Sequence, residues 1–165
     1  MENFILALEE NINNENWYGA IFIALTLPDI CGKIEYPNLN SSQKRYSAWF
    51  DKYLGSMYSK NVGGSEHNFL SGSDCYALRC ALLHEGSEDI TEQKAQETLE
   101  RFHFPKPSSL IMHRKQSGTI LQIQVDLFAL ELIKGIKQWL AEIETNVEKQ
   151  NKLSKLLKVY EINNI

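Results

Sequence analysis

The chain has 165 residues, about one domain's worth, and a chain of this size buries roughly two-thirds of the surface its unfolded form exposes. Its 43% hydrophobic and 23% charged residues are ordinary for a globular protein and exclude wholesale disorder, collagen-like repeats and a disulfide miniprotein. A net charge of −4, from 17 basic and 21 acidic side chains, excludes a strongly basic nucleic-acid coat.

The distribution of charge says more than its sum. Residues 1–30 hold five acidic side chains and no basic one. Residues 41–60 carry Lys44, Arg45, Lys52 and Lys60 against Asp51 alone, and residues 85–100 swing back to six acids against Lys94. Because charges are screened over about 8 Å at cellular salt, a locally positive face survives on an acidic protein. The plainer reading is a set of solvated helix faces that differ in sign. The best apolar run, Tyr18 to Leu27, is shorter than the roughly 18 residues a membrane span needs. Glu2 and the Glu9–Glu10 pair stand where a secretory signal has basic residues. Cys31, Cys75 and Cys80 lack CxxC spacing, which fits reduced thiols. These features together predict a cytoplasmic protein with no membrane partner.

In chain order, Phe4, Ile5, Leu8 and Ile12 fall at helical spacing and predict an acidic amphipathic helix over 2–13. Trp17 to Cys31 is rich in large apolar residues and predicts a buried helix, kinked or ended near Pro28 because proline removes a backbone donor. Residues 32–42 have loop chemistry. Tyr46, Trp49, Phe50 and Tyr53 recur at steps of three and four, an aromatic core stripe on a helix over about 43–54. Residues 56–70 are polar with Gly63–Gly64 and predict a mobile loop.

Ser71-Gly72-Ser73-Asp74 is a helix start, with a serine cap and an early acid at the positive end of the dipole. The helix then runs from Cys75 to His84 and stops at Gly86. Residues 91–101 predict a short polar helix, and Pro105 and Pro107 forbid one after it. Leu110 to Lys115 and Thr119 to Val125 predict two strands around Gln116-Ser117-Gly118, with Leu121, Ile123 and Val125 on one face. From about Asp126 the helical period returns through Leu127, Leu130, Ile133, Ile136, Trp139, Leu140 and Ile143. Leu153, Leu156, Leu157 and Tyr160 keep one apolar stripe on a polar tail, suited to a partner chain or to the protein's own body. The predicted fold is therefore mostly α: a helical bundle with a small two-stranded antiparallel β ribbon. It divides into one domain over 1–145, with the hairpin inserted near 109–125, and an amphipathic C-terminal tail over 146–165.

The helix at 74–84 carries the candidate chemistry. Between Asp74 and His84 every residue is apolar or weakly polar except Arg79. A helix apolar all round is normally buried all round, and a buried charge costs several kcal/mol unless it is paired or faces a wet cleft. A partner such as Asp51 or Glu131 would make Arg79 a structural ion pair. An open cleft would make it an anion site, since its planar fork grips phosphate with two parallel hydrogen bonds. His84, five residues on, is rotated by about 140° and can exchange a proton near neutral pH.

The run Leu78-Arg79-Cys80-Ala81-Leu82-Leu83-His84-Glu85-Gly86 resembles the Arg-x4–6-His signature helix of the HEPN superfamily. Cys80 stands where that family often has a polar residue. The resemblance covers the signature helix and the mostly helical plan. It implies a metal-independent endoribonuclease working in a cleft between two protomers, with RNA as partner and no cofactor. His84 would take the ribose 2′-hydroxyl proton as that oxygen attacks phosphorus, and Arg79 would stabilise charge on the phosphoryl oxygens. The products would be a 2′,3′-cyclic phosphate and a 5′-hydroxyl. The alternative is a non-catalytic helical protein-interaction module, itself a homodimer; the sequence specifies no small-molecule ligand.

Other constellations are weaker. His67, His103 and His113 have no metal-ligand spacing with His84 and Glu85. Ser71-Gly72-Ser73 lacks the lysine of a phosphate loop and reads as a cap. Cys75 and Cys80 read as inert thiols of an apolar helix.

Overall fold

The computed structural model describes residues 1–159. It is mostly helical, as the periodicities predict: α1 (Glu2–Asn13), α2 (Trp17–Glu35), α3 (Ser42–Tyr53), α4 (Gly72–Glu85), α5 (Val125–Glu142) and α6 (Val147–Leu153). The apolar helix α2 is central, with α1, α3, α4, α5 and α6 packed around it. Of the two outcomes expected at Pro28, a kink or the helix's last turns, the ending is overturned. The helix runs on to Glu35, Pro28 is buried within it, and the Tyr36 N–H closes its last turn on the Gly32 carbonyl. Packing on several sides outweighs the one lost backbone bond. By length and composition α2 is also apolar enough to cross a membrane, which corrects the shorter apolar run read from sequence, but half of it is buried inside this fold.

Close helix approach explains two glycines. A Cβ on Gly32 would stand 2.5 Å from the Arg45 carbonyl oxygen of α3, and one on Gly72 would stand 2.6 Å from the Ser47 backbone. Both α2 and α4 therefore press backbone to backbone on α3. The aromatic stripe of α3 is core: Tyr46, Trp49 and Phe50 are fully buried, and Trp49 meets Trp139 of α5 edge to face.

The ends of α2, α5 and α6 are tied at Glu35. Its carboxylate accepts from the Trp139 indole N–H at 2.9 Å and from Lys149 at 2.6 Å. Burial alone pushes the Glu35 carboxyl up, but these two donors outweigh it and hold it below its ordinary value near 4.5. A lowered folded value means that the stabilisation is complete above the unfolded value and is lost as pH falls through the folded one. Glu35→Gln should therefore cost about 1 kcal/mol near pH 7, after allowance for solvent screening. That difference should shrink at a second pH below the ordinary carboxylate range. Urea unfolding of both proteins at the two pH values measures it, and an equal difference at both would refute the assignment.

Strand structure is more extensive than predicted. The polar segment expected as a mobile loop is a hairpin of β1 (Ser59–Val62) and β2 (Ser65–Asn68), turning on Gly63 and Gly64, both at positive φ. The pair predicted near 109–125 is shorter: β4 (Lys115–Ser117) and β5 (Ile120–Gln122), antiparallel, turning at Gly118–Thr119. Residues 110–114 are outside any strand. A third strand, β3 (Arg101–His103), lies parallel to β5, so the ribbon is one edge of a three-stranded sheet. Leu121, Ile123 and Val125 are all buried, but the predicted strand face does not form: only Leu121 lies in β5, and Val125 opens α5.

The short helix expected over 91–101 does not form. Asp89 Oδ1 accepts from the Thr91 N–H and hydroxyl in a turn, and the buried Asp74 carboxylate of α4 accepts from the N–H groups of Glu97, Thr98 and Leu99. Side-chain acceptors thus take the amides a helix would use. The tail packs on its own body, with α6 against α2 and with Leu153 and Leu156 against the core. Tyr160, the last residue of the predicted stripe, lies outside the described residues.

Candidate functional site

Helix α4 is built as the sequence predicts. The Ser71 hydroxyl accepts from the Asp74 N–H at 3.0 Å, and Gly86 closes the helix in the left-handed region at φ 66°. The Gly72 N–H is taken by Asp51 Oδ1 at 2.7 Å, so this start offers a cap and not a phosphate cradle.

Burial of α4 is one-sided, which corrects the expectation of a helix enclosed all round. Asp74, Ala77, Leu78 and Ala81 are buried, whereas Tyr76, Arg79, Cys80 and Leu83 are half-buried and His84 is exposed. At about 100° per residue, with Arg79 at 0°, Leu83 falls near 40°, Tyr76 near 60°, Cys80 near 100° and His84 near 140°. Arg79 and His84 are thus the two edges of one continuous open face, with Leu83, Tyr76 and Cys80 between them. No described side chain bonds the two together, and neither lines the surface cavities of 630, 610 and 380 Å³. Within a single chain the pair borders a surface, not a crevice.

Arg79 is paired, but not with Asp51 or Glu131. Its Nε stands 2.6 Å from Asp29 Oδ2 of α2, out of line for a hydrogen bond, and the two side chains are 23% and 21% exposed. The pair is therefore at the edge of the core and within reach of water. Burial pushes the Asp29 carboxyl above its ordinary value, and Arg79 and Arg45 only partly pull it back. Burial lowers Arg79, yet Asp29 and Cys80 more than offset it and keep the guanidinium charged. Two cations thus flank one carboxylate. The guanidinium carbon also sits 5.9 Å from the centre of the Tyr76 ring, whose hydroxyl bonds Ser42 Oγ at 2.8 Å. His84 makes no hydrogen bond to any described residue.

The carboxylates first considered for Arg79 serve elsewhere. Glu131 accepts from the Tyr58 hydroxyl at 2.5 Å and faces His113 Nε2 at 3.1 Å and Arg114 at 3.8 Å, anchoring the segment before β4 to α5. Sequence reasoning missed this cluster because its members are distant in the chain and none has a motif. The remaining histidines do not converge: His67 bonds Gln116 and His103 faces Glu88. Among the described residues no group of three or more His, Cys, Asp or Glu is placed to hold a metal. Cys31, Cys75 and Cys80 are all free thiols; burial pushes Cys75 up to about 12, and Cys31 lies well above its ordinary value for the same reason.

No protein-family model, curated protein or solved structure matches this chain.

Proposed function

We propose that this chain is a HEPN-like, metal-independent endoribonuclease of the cytoplasm that acts as a homodimer. The observation that carries the reading is the open face of α4, bordered by Arg79 and His84. Two copies apposed through this face in an isologous contact would bring each arginine toward the partner's histidine and convert a surface into a cleft. Tyr76, Cys80 and Leu83 supply the semi-apolar ground between them. Arg79 is only half-buried beside Asp29 at the α2–α4 seam, where a phosphate could compete for its guanidinium. An exposed imidazole in the last helical turn is open to a substrate hydroxyl, as a general base requires.

In the proposed reaction His84 removes the 2′-hydroxyl proton. The 2′-oxygen bonds to the adjacent phosphorus as the bond from phosphorus to the 5′-oxygen breaks. Arg79 stabilises the charge on the non-bridging oxygens, and the 5′-oxygen leaves with a proton. The test uses single-stranded RNA and DNA of one sequence, in excess chelator. RNA should be cut to 2′,3′-cyclic phosphate and 5′-hydroxyl ends, while DNA, and RNA carrying a single 2′-deoxy at the cut position, should stay intact. Cleavage of DNA, or no cleavage of any RNA, would overturn the reading.

A second reading, a non-catalytic interaction module, is favoured by the Asp29 pairing of Arg79. It shares the dimer but predicts no strand scission.

A further inference from the structure

A separate cavity opens at the C-terminal end of α4, where that helix leaves α2. It has a volume of 610 Å³ and is walled by Trp17 and Tyr18 of α2, Leu82 and Gly86 of α4, and Phe104 after β3. That size is typical of small-molecule sites, which run from about 300 to 1,000 Å³. We propose that this cavity receives the base of an unpaired ribonucleotide, whose phosphate lies toward Lys106.

Three observations support the occupant. The wall presents three aromatic rings, one of which, Tyr18, is 82% exposed although nothing in the fold requires it. Phe104 is held parallel to the buried Phe102 ring, with centroids 6.3 Å apart, so its own plane is set before any ligand arrives. Planar bases stack on such rings whatever their sequence. The polar part of the lining holds one cation, Lys106, and one carboxylate, Glu88. Lys106 is exposed and makes no ion pair among the described residues, while Glu88, the carboxylate of the lining, faces His103 at 3.9 Å.

The position deepens the nuclease reading and rests on it for the identity of the ligand. Leu82 is one helical turn from Arg79, and Gly86 is seven residues on, about 10 Å along the axis. The cavity and the Arg79–Asp29 pair therefore share the α2–α4 seam. A base held in the cavity would place a neighbouring phosphodiester along the seam toward Arg79.

The experiment is a titration of the full chain with adenosine monophosphate and with a four-nucleotide single-stranded RNA, followed by tryptophan fluorescence. Trp49 and Trp139 are fully buried, so a ligand-dependent change reports on Trp17. Saturable quenching is expected for both ligands. Tyr18→Ala and Lys106→Gln should each weaken binding about ten-fold or more, and His84→Ala should leave it intact. Tyr18 and Lys106 are exposed, so neither change threatens folding. The proposal is overturned by absence of saturable binding, by unchanged affinity in both variants, or by equally tight binding of N-acetylphenylalaninamide, which would mark a merely apolar groove. Binding without any RNA cleavage would sink the nuclease reading alone, and cleavage without nucleotide binding would sink this one alone.

Discussion

His84→Ala should abolish RNA cleavage, with a loss of two to four orders of magnitude in rate, while RNA affinity stays within a few-fold of the parent. The size follows from the contribution of a positioned general base. The separation of rate from affinity follows from the site: His84 is exposed at the end of α4 and its imidazole makes no hydrogen bond to a described residue. Its removal leaves the helix and its Gly86 stop in place. Arg79→Ala should behave differently. It removes a phosphate contact and also strands Asp29, whose carboxyl burial already disfavours. It should therefore lower affinity, rate and stability together. Measurement of single-turnover cleavage, RNA binding and thermal unfolding on both variants separates the cases. Equal cleavage by His84→Ala and the parent would remove the enzyme reading and leave the interaction module.

The largest stability loss outside the aromatic core is expected at Asp74. Its side chain is 1% exposed, and its two oxygens accept from three consecutive backbone N–H groups at Glu97, Thr98 and Leu99, at 2.7 to 3.4 Å. It sits in the first turn of α4, where the helix dipole favours its charge. Asp74→Ala leaves those amides without acceptors beneath Ile90, Ala95 and Leu99, which are buried. The buried Leu99 donor, once orphaned, costs about 1–3 kcal/mol, and the Glu97 and Thr98 donors, on exposed residues, cost less, so a total of roughly 2–4 kcal/mol is expected. Asp74→Asn keeps one oxygen and should fall between. Denaturant unfolding measures the order parent, Asn, Ala. A cost under about 1 kcal/mol for alanine would show that the 86–100 segment is held by its apolar contacts alone.

Much of the architecture was legible from residue order. The period of 3.6 located α1, α3 and α5 to within a few residues, because each buries one continuous stripe. The capping chemistry of Ser71 and Gly86 marked both ends of α4. Legibility failed where a local rule met a distant partner. Proline at position 28 argued for an end to α2, but that helix is surrounded by five others, and tertiary burial kept it whole. The hairpin over 59–68 escaped notice because β2 is exposed throughout and carries no alternation; the Gly63–Gly64 pair was its one signal. Residues 91–101 had helical composition, and only the carboxylate of Asp74, more than twenty positions earlier, diverted their amides.

For the candidate site, the sequence by itself determined that one arginine and one histidine stand five residues apart on an apolar, well-capped helix. Helix geometry turns that spacing into a fixed angle whatever the surroundings. Only the tertiary structure decided that this helix is covered on one side, that Asp29 and not Asp51 or Glu131 meets the guanidinium, and that an aromatic cavity continues the same seam. The physical reason is that intrahelical geometry is local and set by backbone hydrogen bonds, whereas burial and ion pairing depend on which distant helices the packed core brings alongside.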